Sequence, residues 1–315
     1  MLNIISGLKK KVLEDNLTKI MIIIAVIALL YFYKNNSNNE PFNNIGNYTS
    51  LTNDNIFNNE KYITLYENVL LDKNKNQYYL NSIMKNTNIV DNGIIVNIGC
   101  KTGSFNKLLD NQNINSIGLD RSSEVINYCR NNYSNMNFDI FNINILENVG
   151  INYSQPITHI VCLDMEIYYI DDIDLFFKQS YNLLNSNGYI IIHLVDHKKY
   201  NNTSLYSRIN NFNPNNLSIK KVNDSIIKFN DIIYNTKYRI YPNDFGNKKI
   251  WFTETIEHIN DNSIYENIHN LNYISSNNIQ TIASKNEFEL INIIDIDLQH
   301  YNDEYLYIFK KNTYK

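Results

Sequence analysis

The sequence IIVNIGCKTG, residues 94–103, joins a short run of apolar, mostly β-branched residues to a turn with two glycines. Such a run favours a buried strand, and a glycine turn after it lets a ligand approach the backbone closely. A helix that starts at this turn presents free backbone N–H groups and a positive dipole end. Residues 94–103 therefore predict a strand, a turn and a helix with a ligand-binding site at the turn.

A second strand with an acid at its end follows the turn. Ser116 to Leu119 is short and apolar, and Asp120 comes directly after it. In nucleotide-binding α/β folds an acid about 20 residues after the glycine turn accepts hydrogen bonds from the ribose hydroxyls. Asp120 is therefore predicted to bind a ribose.

Strands and helices alternate through the rest of the chain, which is typical of βαβ units and a mostly parallel sheet. We predict a doubly wound α/β domain over residues 59–315 with one seven-stranded sheet. An insert before the last two strands, about residues 197–275, contains alternating apolar runs and is predicted to be antiparallel. The predicted strands are 94–98, 116–119, 138–143, 159–163, 189–195, 289–296 and 305–309, and the helices include 122–133, 172–185 and 279–286.

These features resemble class I S-adenosylmethionine-dependent methyltransferases, which have a Rossmann-like fold. Asn97 to Gly103 is similar to the family's Asp/Glu-x-Gly-Cys-Gly-Thr-Gly motif, and Asp120-Arg121-Ser122 looks like its ribose-binding acid and helix cap. Leu184 to Tyr189 resembles the entry into its fifth strand. The resemblance covers about residues 93–195 by motif and the last two strands by topology. The chain also resembles methyltransferase sequences of large DNA viruses.

The resemblance implies S-adenosyl-L-methionine as the cofactor, with no metal. The residues it assigns to the cofactor are Asn97, Gly99, Cys100, Gly103, Asp120, Arg121, Asn142, Asn144 and Asp164. Two positions depart from the family's motif. Asn97 replaces the first carboxylate and loses its charge, and Lys101 replaces the middle glycine. Lys101 either places a cation near the sulfonium or points to solvent, and together the two changes leave a catalytically inactive relative open.

Catalytic candidates lie where strands four and five end, because ligands of open α/β sheets bind at the carboxyl ends of the strands. A hydroxyl acceptor needs a group that removes its proton. Asp196, His197 and Glu166 are predicted to be catalytic. The alternative for Glu166 is a solvated or helix-capping role, and His193, within an apolar strand, is expected to be a core residue.

Composition limits the partners. The formal net charge is −4, and no stripe of Lys and Arg appears beyond the first 20 residues, so nucleic acid is an unlikely substrate. The three cysteines show no metal-ligand spacing and are expected to be buried and reduced. The methyl acceptor is expected to be a small molecule or a protein, and the oligomeric state stays open.

The N-terminal region predicts a single membrane anchor at residues 17–34, after a tail at residues 1–16. Ile20 to Tyr33 carries no charge. A spanning helix needs roughly 17–25 residues, and Leu17 to Tyr33 just reaches the lower limit when the Lys19 side chain extends to the interface. The segment ends in bulky aromatics and Lys34, whereas a signal peptide ends in a small-residue cleavage site. A polar, Asn-rich linker is expected at residues 35–58.

The side of the membrane that holds the large domain stays open. Lysines before the anchor favour a cytoplasmic N-terminus, which places the domain across the membrane. The cytosolic cofactor and the free thiols favour the opposite side. We expect a single-pass membrane protein, in a host or virion membrane, that transfers methyl groups. The alternatives are an inactive scaffold and, third, a nucleotide-cofactor oxidoreductase, for which the Gly-x-Gly-x-x-Gly pattern is absent.

Overall fold

A sheet of seven strands forms the centre of the protein, in the order β11-β12-β6-β5-β2-β3-β4. The computed structural model describes residues 48–89, 92–141, 146, 155–197, 224–228, 232–242, 248–298 and 303–313. The strands of this sheet are β2 (Ile94–Ile98), β3 (Asn115–Asp120), β4 (Asn137–Ile140), β5 (Ile157–Cys162), β6 (Tyr189–Val195), β11 (Phe288–Asp295) and β12 (Glu304–Lys311).

Strand direction confirms the predicted mostly parallel sheet. β2 pairs in parallel with β3 and β5, and the parallel ladder continues to β4 on one side and β6 on the other. β12 runs antiparallel to both β6 and β11. β12 is therefore the one reversed strand of this sheet, and the carboxyl ends of the other six lie along one edge.

Both faces of the sheet are buried, as expected of a doubly wound fold. Ile94, Val96 and Ile98 of β2 pack into one apolar cluster, whereas Ile95 packs into another on the opposite face. The alternation follows from the pleat, because successive side chains of a strand point to opposite faces. The β-branched run at residues 94–98 is therefore apolar almost throughout.

Helices cover the two faces. They are α1 (Asp54–Phe57), α2 (Glu60–Leu65, continued by a π-helical turn Tyr66–Leu70), α3 (Lys73–Asn86), α4 (Ser104–Asp110), α5 (Ser123–Asn132), α6 (Ile173–Leu183) and α7 (Ser276–Lys285). Helix α3 was not predicted from the sequence. Tyr79, Leu80 and Ile83 bury its apolar side, but Lys75 and Asn76 are buried too, so the helical hydrophobic pattern is diluted.

The predicted insert forms a second sheet of five strands, in the order β1-β10-β9-β8-β7. Its strands are β1 (Tyr48–Thr52), β7 (Asp224–Lys228), β8 (Ile232–Pro242), β9 (Lys248–His258) and β10 (Ile264–Asn272), and β7 to β10 pair antiparallel as predicted. Residues 49–315, which contain this sheet and the central one, form one compact unit.

The linker prediction is wrong for residues 48–58. β1 lies beside β10, and the backbone N–H of Asn53 donates to the carbonyl of Ile268 at 3.1 Å. An Asn-rich segment can join a sheet because pairing satisfies its backbone groups whatever the side chains are.

The predicted tail, the anchor at 17–34 and linker residues 35–47 lie outside the described residues. Within the described part of the chain, no helix combines the length and apolar character needed to cross a membrane.

Candidate cofactor and acceptor site

The turn after β2 has the shape that its glycines predict. Gly99 and Gly103 have φ of 70° and 76°, which glycine adopts without steric cost. Lys101 between them also has a positive φ, 49°, and a side chain is strained there. The thiol of Cys129 donates to the Lys101 carbonyl at 3.1 Å, and all three cysteines are free and buried as expected.

Asp120 lies at the carboxyl end of β3 and faces this turn. Its two carboxylate oxygens each accept one backbone N–H, from Lys101 and from Ser122, both at 3.0 Å. A carboxylate has about four acceptor positions, so lone pairs remain for a ligand's hydroxyls. Burial raises the pKa of Asp120 above its usual value although these N–H donors oppose the shift. Ser122 caps α5 through Val125, as the sequence predicts.

Asn97 and Thr102 differ in what they offer to a ligand. The Asn97 amide donates to Asn106 at 2.7 Å, and Asn106 donates to Ser116 at 3.1 Å, so the amide is held within the domain. The Thr102 hydroxyl is 2% exposed and has no hydrogen-bond partner among the described residues. A buried hydroxyl without a partner costs free energy, so Thr102 is suited to hydrogen-bond a polar ligand at the turn.

The side chain of Lys101 points into the site and not to solvent. Its ammonium lies 3.3 Å from the carbonyl oxygen of Asp164, 3.9 Å from the Asp164 carboxylate and 5.3 Å from the centre of the Tyr66 ring. Burial alone would lower the pKa of Lys101, but Tyr66 and Asp164 outweigh burial and raise it. The lysine is therefore a cation at the turn with its side chain only 14% exposed, which decides against the solvent-pointing alternative of the sequence.

Glu166 packs directly against the turn. A β-carbon added to Gly99 would lie 2.2 Å from the Glu166 Cγ, so only glycine fits beneath this side chain. Arg121 lies over the same place, 3.5 Å from the Glu166 carboxylate. Glu166 follows Asp164 and Met165, whose φ of 46° and 65° are both in the left-handed region that costs side-chain-bearing residues free energy.

Lys101 and Glu166 leave little room beside the turn. A cavity of about 20 Å³ is lined by Asn97, Gly99 and Thr102, and one of about 30 Å³ is lined by Asp120, Arg121 and Glu166. Small-molecule sites usually measure roughly 300–1,000 Å³. The donors and acceptors fit a nucleoside joined to an amino acid, but a ligand of that size enters only when Lys101 and Glu166 turn aside.

A larger cavity of about 110 Å³ lies next to these two, between the strand ends and the insert sheet. Its walls are largely aromatic and include Tyr62, Tyr66, Tyr169, Tyr234, Tyr238, Phe57 and Phe252. Lys101 lines all three cavities, and Tyr169 lines this one and the cavity at Asp120. These two residues therefore lie at the junction between the ligand turn and the aromatic cavity.

A buried ionic cluster forms the floor of the aromatic cavity. Lys75 of α3 pairs with Glu304 at 2.7 Å, and His193 lies 3.0 Å from the same carboxylate. The backbone N–H of Met165 donates to His193 Nδ1, so His193 carries its proton on Nε2, facing Glu304. Burial alone would raise the pKa of Glu304, but Lys75 and His193 lower it to about 2. His193 is a core residue, as expected.

A second polar cluster lies on the insert and was not predicted from the sequence. Glu254 of β9 is 3% exposed and accepts hydrogen bonds from Tyr62 at 2.6 Å and from His269 at 3.0 Å. Tyr234 donates to its other oxygen. His269 in turn contacts the hydroxyl of Tyr169. Only the alternation of β9 and β10 could have signalled these residues, because they are far apart in sequence and meet through strand pairing.

The predicted site residues are only partly brought together. Asn97, Gly99, Cys100, Asp120, Arg121, Asp164 and Glu166 line the two small cavities, and Gly103 ends the turn. Asn142 and Asn144 lie outside the described residues.

His197 is bound to Tyr238 at 2.7 Å, and burial lowers its pKa to about 4. His197 and Asp196 line none of the three cavities, and their catalytic role stays a prediction.

The fold and the turn define an α/β domain of the kind that binds nucleotide cofactors at its strand ends. Residues 89–312 match the methyltransferase domain family, and the chain belongs to this family. The match covers the central sheet and the insert. No curated protein matches the chain at a significant level.

Three of the solved structures with the same fold are bacterial methyltransferases. CcbJ methyltransferase of Streptomyces caelestis has a TM-score of 0.61 at 9% identity, over 83% of this chain and all of its own. A S-adenosylmethionine-dependent methyltransferase of Clostridium acetobutylicum has a TM-score of 0.57 at 15% identity, over 80% and 98%. SAM-bound CalS10, an amino pentose methyltransferase of Micromonospora echinaspora, has a TM-score of 0.56 at 8% identity, over 81% and 98%.

These similarities establish the fold and agree with the predicted cofactor, S-adenosyl-L-methionine. They give no support to the predicted resemblance to viral proteins, which stays a prediction. They also leave the methyl acceptor open, because identities this low carry over the architecture alone.

Proposed function

We propose that the protein transfers a methyl group from S-adenosylmethionine to a small molecule with a hydroxyl or amine nucleophile. The observation that carries the proposal is the junction at Lys101 and Tyr169. Cavities lined by family-type cofactor residues meet the aromatic cavity there, so a donor and an acceptor can be held side by side. Holding two reactants in line can supply most of the rate of a displacement.

The residues at the turn have separable tasks in this proposal. Asp120 accepts hydrogen bonds from the ribose, Gly99 allows close approach, and Thr102 hydrogen-bonds the polar amino-acid end. When bound, S-adenosylmethionine supplies an electrophilic methyl group on a sulfonium. The aromatic cavity is proposed to hold the acceptor. Its volume of about 110 Å³ lies below the roughly 300–1,000 Å³ of usual small-molecule sites, so the proposed acceptor is a compact one.

Methyl-labelled S-adenosylmethionine tests the proposal. The full chain is incubated with the labelled cofactor and either a small-metabolite extract or the protein fraction of a lysate. We expect label to enter the small-molecule fraction, and the Asp120→Ala variant to transfer much less label at the same subsaturating cofactor concentration. Label in the protein fraction alone would contradict a small-molecule acceptor. Cofactor binding without transfer to either fraction would contradict the enzyme proposal.

One arrangement favours a second function, a catalytically inactive scaffold. Lys101 and Glu166 fill the place beside Gly99, and Asn97 offers an amide in place of the family's acid. This second function predicts no binding of S-adenosylmethionine at millimolar concentration, and saturable binding with methyl transfer would contradict it.

We also propose that residues 17–34 anchor the protein to a membrane. The support is the uncharged run from Ile20 to Tyr33 and its aromatic end. Deletion of residues 17–33 is expected to move the protein from the carbonate-washed membrane pellet to the supernatant. A deleted protein that stays in the pellet would contradict a single anchor at this place.

A further inference from the structure

The aromatic cavity has one wall on which a histidine is held between a carboxylate and a tyrosine. His269 of β10 is 3% exposed, with Nε2 3.0 Å from Glu254 and Nδ1 2.5 Å from the Tyr169 hydroxyl. Glu254, His269 and Tyr169 all line the cavity. The three groups come from β9, β10 and the turn after β5, so the arrangement exists only when the insert packs on the strand ends.

The hydrogen bonds of Glu254 fix its charge. Tyr62, Tyr234 and Asn267 all lie within hydrogen-bond distance as donors, with His269 as the fourth. An ionised carboxylate only accepts, so four donors around one carboxylate match the ionised form. Burial alone would raise the pKa of Glu254, but these donors, His269 foremost, outweigh burial and lower it.

The ionised Glu254 in turn fixes the proton on His269. Because Glu254 accepts from Nε2, the neutral imidazole carries its proton there, and Nδ1 is left as an acceptor. Tyr169 must then donate its O–H to Nδ1. Burial raises the pKa of Tyr169 well above its usual value, so the tyrosine keeps this proton at neutral pH. The lone pairs of the Tyr169 oxygen remain available to a group in the cavity.

We propose that Tyr169, His269 and Glu254 form a proton relay that accepts the proton of a hydroxyl or amine acceptor bound in the aromatic cavity. The inference rests on the proposed function. The acceptor's proton passes to the Tyr169 oxygen while the tyrosine's own proton passes to His269 Nδ1. The electron pair of the broken O–H or N–H bond stays on the acceptor as the nucleophile.

The charge balance of the cavity suits this transfer. The imidazolium that forms lies beside the ionised Glu254, and an ion pair with further hydrogen bonds is stabilised where an isolated buried cation is not. The other charged groups that line the cavity are Lys75, Lys101, Asp164 and Glu304. Lys75 pairs with Glu304 at 2.7 Å and Lys101 lies 3.9 Å from Asp164, so both cations are already paired with carboxylates.

4-Nitrophenol tests the relay without the cofactor, because its phenol and phenolate absorb at different wavelengths. We titrate the probe into the full chain at a pH below the probe's own pKa. The bound probe is expected to show the phenolate band. Tyr169→Phe and His269→Asn are expected to lower the bound phenolate fraction at least tenfold. His258→Asn is the matched control, since His258 lies on β9 of the same sheet but outside the aromatic cavity.

Three results would overturn the relay: an unbound probe, a bound probe that stays a phenol, or a phenolate band unchanged in Tyr169→Phe. Ring ¹⁵N NMR of the six histidines gives a second readout, the His269 tautomer that the relay requires. We expect the His269 signals to report an Nε2–H tautomer, and an Nδ1–H tautomer would contradict the proposal. Thermal melting of each variant checks folding. S-adenosylmethionine binding by the same variants shows whether the proposed function holds when the relay fails.

Discussion

Replacing Lys101 with glycine is expected to tighten S-adenosylmethionine binding at least tenfold, about 1.4 kcal/mol. The lysine places a cation at the turn, 3.3 Å from the Asp164 carbonyl, where the cofactor brings a sulfonium of the same sign. Like charges a few ångströms apart cost on the order of 1–4 kcal/mol in a partly solvated site. Glycine also removes the strain of a side chain at φ 49° and opens the space between the cavities.

Calorimetric titration of the cofactor measures this gain. Lys101→Met keeps the length of the side chain without its charge, so it separates charge from bulk. Lys107→Ala is the control, because Lys107 is exposed and pairs with Asp110 on the helix that follows the turn. Unchanged or weaker binding in Lys101→Gly would show that the lysine supports the ligand and does not obstruct it.

Asp120→Ala is expected to weaken cofactor binding on the order of 100-fold, about 3 kcal/mol. The substitution removes the carboxylate that is proposed to accept hydrogen bonds from the ribose. It also removes the acceptor for the backbone N–H groups of Lys101 and Ser122, which shape the turn. Asp120→Asn keeps one acceptor oxygen and is expected to bind with intermediate affinity.

Asp139→Ala serves as the control for Asp120, because Asp139 lies on the next strand with its side chain 68% exposed and paired with Arg130. Circular dichroism melts show whether each variant is folded at the temperature of the titration. A folded Asp120→Ala variant with unchanged affinity would show that Asp120 does not bind the ribose.

The fold could be predicted because its strongest signals are local. The run at residues 94–98 is apolar on both faces of a parallel strand, and the turn after it needs a positive φ at Gly99 and Gly103. The role of Asp120 was predicted from its position directly after the second strand. Each of these features depends on residues close together in the chain, so it can be predicted from a single sequence.

The aromatic cavity, where we propose that the acceptor binds, could not be predicted from the sequence, since long-range pairing creates it. Glu254 and His269 approach each other because β9 and β10 are antiparallel, and Tyr169 reaches His269 from a turn 100 residues earlier. The same holds for Lys75, whose partner Glu304 lies 229 residues later. Asp196 and His197 were predicted from their place after β6, but the direction of the His197 side chain toward Tyr238 depends on the insert.

Calorimetric titration of S-adenosylmethionine into the unaltered full chain tests the central claim, that the turn after β2 with Asp120 is a cofactor site. We predict saturable binding at one site per chain, and no comparable binding of a nicotinamide dinucleotide under the same conditions. An absence of heat at millimolar S-adenosylmethionine, in a protein shown to be folded, would contradict the claim.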